Sequence, residues 1–85
     1  MTQQRYLMRS IEYVIHRNGH IVEHNELAQE LRGSHATVQQ RARAIHDGLV
    51  GRRKMQGDGH PFTLITILFN PQGHPSVFTT GSAKG

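Results

Sequence analysis

Eight consecutive residues, Phe62-Thr63-Leu64-Ile65-Thr66-Ile67-Leu68-Phe69, constrain this chain more than any other stretch. They are β-branched, aromatic or leucine, they stop at Asn70-Pro71, and the run is too short for a helix, so they read as a strand. In a strand, Phe62, Leu64 and Leu68 share one face, and Ile65, Ile67 and Phe69 share the other. Both faces are apolar. A chain of 85 residues has one small core with which to cover them. One face must pack on helices. The other is left for the first helical segment, for Val77-Phe78, or for a second copy of the chain. The expectation is a homodimer built from that first segment and this strand.

Cysteine is absent, so neither a disulfide nor a thiolate zinc site can hold the fold together. No apolar run approaches the ~20 residues of a membrane span. The start, MTQQRYLMRS, has no apolar signal core, so the expected setting is cytoplasmic. The net charge is +4, and its placement says more than its size. Residues 1–33 and 57–85 each balance to zero. Residues 34–56 carry Arg41, Arg43, Arg52, Arg53 and Lys54 against Asp47 alone. A basic patch of this kind suits a polyanion, because each phosphate it neutralises releases condensed counterions.

Along the chain, Leu7, Met8, Ile11, Val14 and Ile15 have helical spacing and predict a first helix over 3–17, capped by Thr2 and stopped at Asn18-Gly19. His20-Ile21-Val22 reads as a short extended piece. Asn25 can cap a second helix with Leu27, Ala28 and Leu31 on its buried stripe, and Gly33 ends it. Ser34 then caps a third helix over 34–47, with Val38, Ala42 and Ile45 as its apolar face and Gly48 as its stop. Residues 49–56 and 62–69 read as two arms of a β-hairpin around Gly57-Asp58-Gly59. The predicted domain covers 1–70, and 71–85 reads as a tail, partly disordered.

This order resembles the winged helix-turn-helix family. Glu26, Leu27, Ala28, Leu31, Ser34, Thr37, Val38, Ile45, Gly48, Leu49 and Val50 stand at positions of the family pattern, over roughly residues 5–69. Two positions depart from it: Arg32-Gly33 where an apolar residue usually precedes the serine, and Arg41 where a bulky apolar residue is common. The resemblance implies an α+β fold of three helices with a C-terminal β-hairpin wing. It implies duplex DNA as partner, with the third helix in the major groove and a wing over 50–62 on the backbone or minor groove. Helical projection at 100° per residue puts Ala36, Gln40, Arg43 and Asp47 opposite Val38, with Gln39 and Ala44 to either side. Gln40 and Arg43 are of the types that read adenine and guanine bidentately. Ser34, His35, Ala36, Thr37, Gln39 and Arg41 complete the expected DNA-binding face, and Arg52, Arg53 and Lys54 are its wing contacts.

Seven histidines is a high count, and His16, His20 and His24 are spaced by four. Asn18-Gly19 interrupts them, so they read as surface residues and no metal or other cofactor is expected, with a metal-sensing regulator as the weaker alternative. Their protonation near pH 6 would add positive charge and strengthen DNA binding. No Gly-rich phosphate loop, Ser/His/Asp constellation or carboxylate pair is present, so the chain reads as non-enzymatic. The function expected is sequence-specific binding of double-stranded DNA by a small, repressor-like transcriptional regulator, cytoplasmic and nucleoid-associated. The alternatives are a winged-helix protein-interaction module in a larger assembly, or RNA binding.

Overall fold

The computed structural model describes residues 4–16, 18–56 and 60–82. It consists of β1 (Gln4–Ile15), β2 (Ile21–Gly33), α1 (His35–Met55), β3 (Phe62–Phe69) and β4 (Pro75–Ser82). The four strands form one antiparallel sheet in the order β2-β1-β3-β4, and α1 packs on one face of it. This is α+β, but it is not a three-helix winged helix-turn-helix. Only one helix exists among the described residues, and the hairpin wing is absent there. Thr2, the expected first cap, and Asp58, at the expected wing tip, lie outside the described residues.

The expected first helix is strand β1. Its burial alternates: Tyr6, Met8, Ser10, Glu12 and Val14 face α1, while Leu7, Arg9, Ile11, Tyr13 and Ile15 face away. Two of the inward positions are polar, which obscures the period of two in the sequence. Asn18-Gly19 is no helix stop but the turn of the β1–β2 hairpin. Gly19 takes φ +80°, and Asn18 Oδ1 accepts from the His20 N–H at 2.9 Å.

The expected second helix is edge strand β2, in spite of the strong helix formers in Glu26-Leu27-Ala28-Gln29-Glu30-Leu31. Tertiary pairing overrides that preference: β2 pairs with β1 along its length, with Tyr6 opposite Leu31 and Ser10 opposite Leu27. The outer face of this strand pair is charged. Arg9 donates to Glu26, and Glu30 meets both Arg5 and Arg32. Charges of this kind suit an edge strand, which they protect from pairing with another chain.

The third helix runs on through Gly48 to Met55, so the residues assigned to the first wing arm are its last turns. Ser34 caps it as expected: its Oγ accepts from the Thr37 N–H at 3.3 Å. At the other end Arg52, Arg53 and Lys54 sit where a helix dipole favours cations. Gly48 and Gly51 lie inside the helix, and a Cβ added at either meets nothing within 4 Å. Gly48→Ala and Gly51→Ala are therefore each expected to raise stability by about 0.5–1 kcal/mol, because helix interiors disfavour glycine and the space is free. Urea denaturation of each variant checks this, and a loss of stability at both sites would contradict the continuous helix.

The segment expected as a tail supplies β4, paired to β3 from Phe69↔Pro75 to Phe62↔Ser82. The core under α1 falls into two apolar clusters. One holds Tyr6, Met8, Leu31, Val38, Ala42 and Leu68; the other holds Val14, Val50, Phe62 and Leu64. A buried polar belt of Ser10, Glu12, His46, Arg53 and Thr66 accompanies them. Every buried side-chain polar atom described has a hydrogen-bond partner.

Candidate nucleic-acid interface

Helix α1 carries every residue expected to touch DNA except its cap, Ser34. The structure brings them together on one rod of 21 residues, about 32 Å long, and not on a helix plus a wing. His35 begins it, exposed, with Nδ1 3.2 Å from the Tyr6 hydroxyl. Ala36, Thr37 and Gln40 are exposed and Gln39 is half-buried. Arg41 is exposed and its Nη1 donates to the Arg32 carbonyl at 3.4 Å. Arg43 is exposed and lies over the Phe78 ring of β4, 4.9 Å from its centroid. Arg52 and Lys54 are exposed in the last turns.

Arg53 is different. It is 8% exposed, and it grips Glu12 with two parallel bonds, Nη2 to Oε1 at 2.8 Å and Nε to Oε2 at 3.1 Å. Asn25 Nδ2 donates to the same carboxylate at 3.3 Å. Arg53 is thus a core residue with its charge neutralised, and its assignment to the DNA-binding face is withdrawn. The two partners are 41 residues apart in sequence, so no local pattern reveals the pair.

The four exposed cations form two rows. Arg41 and Arg52 are eleven positions apart, which sets them about 20° apart around the helix and about 16 Å apart along it. Arg43 and Lys54 repeat that spacing on the other flank, roughly 160° away. Between the rows runs a neutral ridge of Gln40, Ala44, Gly48 and Gly51. Asp47, beside the Arg43 row, is the single acid of the helix.

Beside the Arg52 flank, a cleft of about 550 Å³ opens between α1 and the β1–β2 side of the sheet. Leu27, Ile45, Leu49 and Leu64 line it, with Glu12 and Arg53 among its polar groups and Arg52 contributing from the exposed side. Ser10, also in its lining, starts a chain of hydroxyl contacts into the core. Its Oγ is 2.7 Å from Thr66 Oγ1, Thr66 Oγ1 is 2.7 Å from His46 Nδ1, and His46 Nε2 is 2.7 Å from Thr80 Oγ1. Burial pushes the His46 pKa below its ordinary value; Asp47 opposes that shift and Arg43 adds to it. The sequence reading missed this chain, because its members stand on α1, β1, β3 and β4.

Among the described residues, no three His, Cys, Asp or Glu side chains gather into a metal site. His16 meets His60, ring centroids 5.0 Å apart, and its N–H donates to the His20 carbonyl. The side chain of His24 lies outside the described residues. No described helix is long and apolar enough to cross a membrane. Compared with known proteins, the chain matches no family model, no curated protein and no solved structure.

Proposed function

We propose that this protein binds double-stranded DNA through α1 and catalyses no reaction. The observation that carries the reading is the pair of cation rows, Arg41/Arg52 and Arg43/Lys54, bracketing a neutral ridge of small residues. A major groove about 12 Å wide admits one α-helix, and phosphates border it on both sides. A ridge of Ala44, Gly48 and Gly51 lets the helix backbone approach the groove floor. The two rows then face the two phosphate walls. Gln40, on the same ridge, is of the type that reads adenine at N6 and N7. Phosphate contacts position a protein and base contacts specify its site, so the rows supply affinity and Gln40 supplies a measure of sequence preference. A bare DNA-binding chain of this size suits a transcriptional regulator, by analogy alone.

Fluorescence-anisotropy titration of random duplex DNA across a salt series tests this. Four phosphate contacts give a log–log salt slope of about −3.6, and removing two of them brings it to about −1.8. Arg41→Ala/Arg52→Ala and Arg43→Ala/Lys54→Ala are each expected to halve the slope while leaving the thermal melt in place, since all four side chains are exposed. An absence of salt-dependent binding by the wild type at low salt sinks the reading, as does preference for single-stranded RNA in competition.

A protein-interaction role has its own support in a different surface, the face of the sheet that α1 leaves uncovered.

A further inference from the structure

The sheet face away from α1 is apolar at its centre. Register places its residues in rows across β1, β3 and β4: Leu7–Phe69–Pro75, Arg9–Ile67–Val77, Ile11–Ile65–Thr79 and Tyr13–Thr63–Gly81. Leu7 is 50% exposed and Val77 59%, while Ile11, Tyr13, Ile65, Ile67 and Phe69 are half-buried. Arg9 is the one charge in these rows, and it leans away to Glu26 on β2. No described element of the chain covers this face.

We infer that a second copy of this chain covers it, in a two-fold dimer with the two sheets stacked face to face. The rows themselves are self-complementary. A two-fold axis lying between the sheets along β3 stacks β3 on the second copy's β3, and β1 on its β4. Each β1 residue then meets the β4 residue of its own row. Three of these pairs are large on small: Tyr13 over Gly81, Ile11 over Thr79, Leu7 over Pro75; in the fourth, Val77 lies against the stem of Arg9, whose guanidinium turns out to Glu26. Such alternation lets facing side chains interdigitate at the ~10 Å spacing of stacked sheets. The same axis leaves β2 overhanging the partner's edge. The charges of Arg5, Glu26, Glu30 and Arg32, which the Arg9 guanidinium joins through Glu26, then form a solvated rim beside an apolar centre, as in other protein interfaces.

The area suffices. Three strands at ~4.8 Å spacing and eight residues at ~3.3 Å rise make a flat patch of roughly 14 by 26 Å. Side-chain relief raises the accessible area above that footprint, so two copies bury on the order of 1,000 Å², the threshold for a specific interface. The inference is independent of DNA binding, which uses the opposite side of the molecule.

Sedimentation equilibrium of the whole chain from about 1 to 100 μM tests it. The wild type is expected to reach dimer mass in that range. Ile67→Lys, which puts a cation at the centre of the stack beside Arg9 and opposite its own copy, is expected to raise the dimer dissociation constant at least about a hundredfold, because a buried charge without a partner is strongly disfavoured. Val77→Lys, at a site 59% exposed in the single chain, sets a cation against Arg9 of the second copy and gives the same result without threatening the fold, which a circular-dichroism melt verifies. Arg41→Glu, on the helix side, leaves the mass unchanged. A wild type monomeric at 100 μM overturns the inference. So does a dimer that Val77→Lys leaves intact.

Discussion

Arg53→Ala is expected to destabilise the protein by about 3–5 kcal/mol, enough to unfold much of a small domain at ordinary temperature. The loss comes less from the missing attraction than from what remains. Glu12 is 6% exposed, and without the guanidinium its carboxylate stays in the core stripped of both charge-assisted bonds that Arg53 supplies. A buried charge without its partner is far more costly than a pair that was never there. The double replacement Glu12→Leu/Arg53→Met follows from the same physics: it removes both charges, keeps the volume, and is expected to fall within about 1 kcal/mol of wild type or above it. Arg52→Ala, one position away but exposed, is expected to change stability by less than about 0.5 kcal/mol. Urea denaturation of the four proteins separates these cases. If Arg53→Ala and Arg52→Ala proved equally mild, the buried pair would be wrong.

The second large effect centres on His46, fully buried with hydroxyls on both ring nitrogens. His46→Ala removes the ring, leaves a cavity beneath β3, and strips Thr66 and Thr80 of a partner. Cavity and lost hydrogen bonds together are expected to cost about 2–4 kcal/mol. The neutral ring also makes stability depend on pH. Burial, with Arg43 nearby, holds the folded-state pKa below the ordinary histidine value, so the unfolded chain binds the proton more readily. The contribution of the neutral ring is complete above the unfolded pKa of about 6.5, and it is lost as pH falls from there toward the folded value. Melting temperature measured from pH 8 to pH 5 is expected to drop for the wild type by more than for His46→Phe, which cannot titrate. Parallel curves for the two proteins would show that other groups cause any acid lability.

The sequence was most readable where local chemistry and tertiary context agreed. Phe62–Phe69 is a strand with two apolar faces because its composition allows little else. Ser34 starts a helix because its side chain can hold an orphan N–H. The winged-helix pattern misled for a physical reason. Leu27, Leu31, Val38 and Ile45 are apolar in that pattern, and here too they face or pack on a core, so the same positions satisfy either fold. Arg41 was the contrary sign: it stands where the pattern prefers a bulky apolar residue, and here it lies on the solvated flank of α1. β1 was unreadable as a strand because Ser10 and Glu12 occupy its inner face. Their partners, Thr66 and Arg53, lie 56 and 41 residues away, beyond any local pattern. Gly48 failed as a stop because a glycine inside a helix costs only ~1 kcal/mol, which packing on both sides of it outweighs. Of the expected contact residues, the charges of α1 were legible as a group. Which one turns inward depended on Glu12.

The polar belt also does what apolar packing alone cannot. Alternation forbids β1 from slipping one residue against β3, since that would turn every side chain to the wrong face. A slip of two residues keeps both faces and would pass as equally greasy. It would set Ser10 against Leu64 or Leu68, strand Thr66 opposite Glu12 or Met8, and drag Glu12 away from Arg53. The belt therefore works as a combination lock on strand alignment: of the registers that keep oil against oil, only one also lets every buried oxygen and nitrogen find its mate.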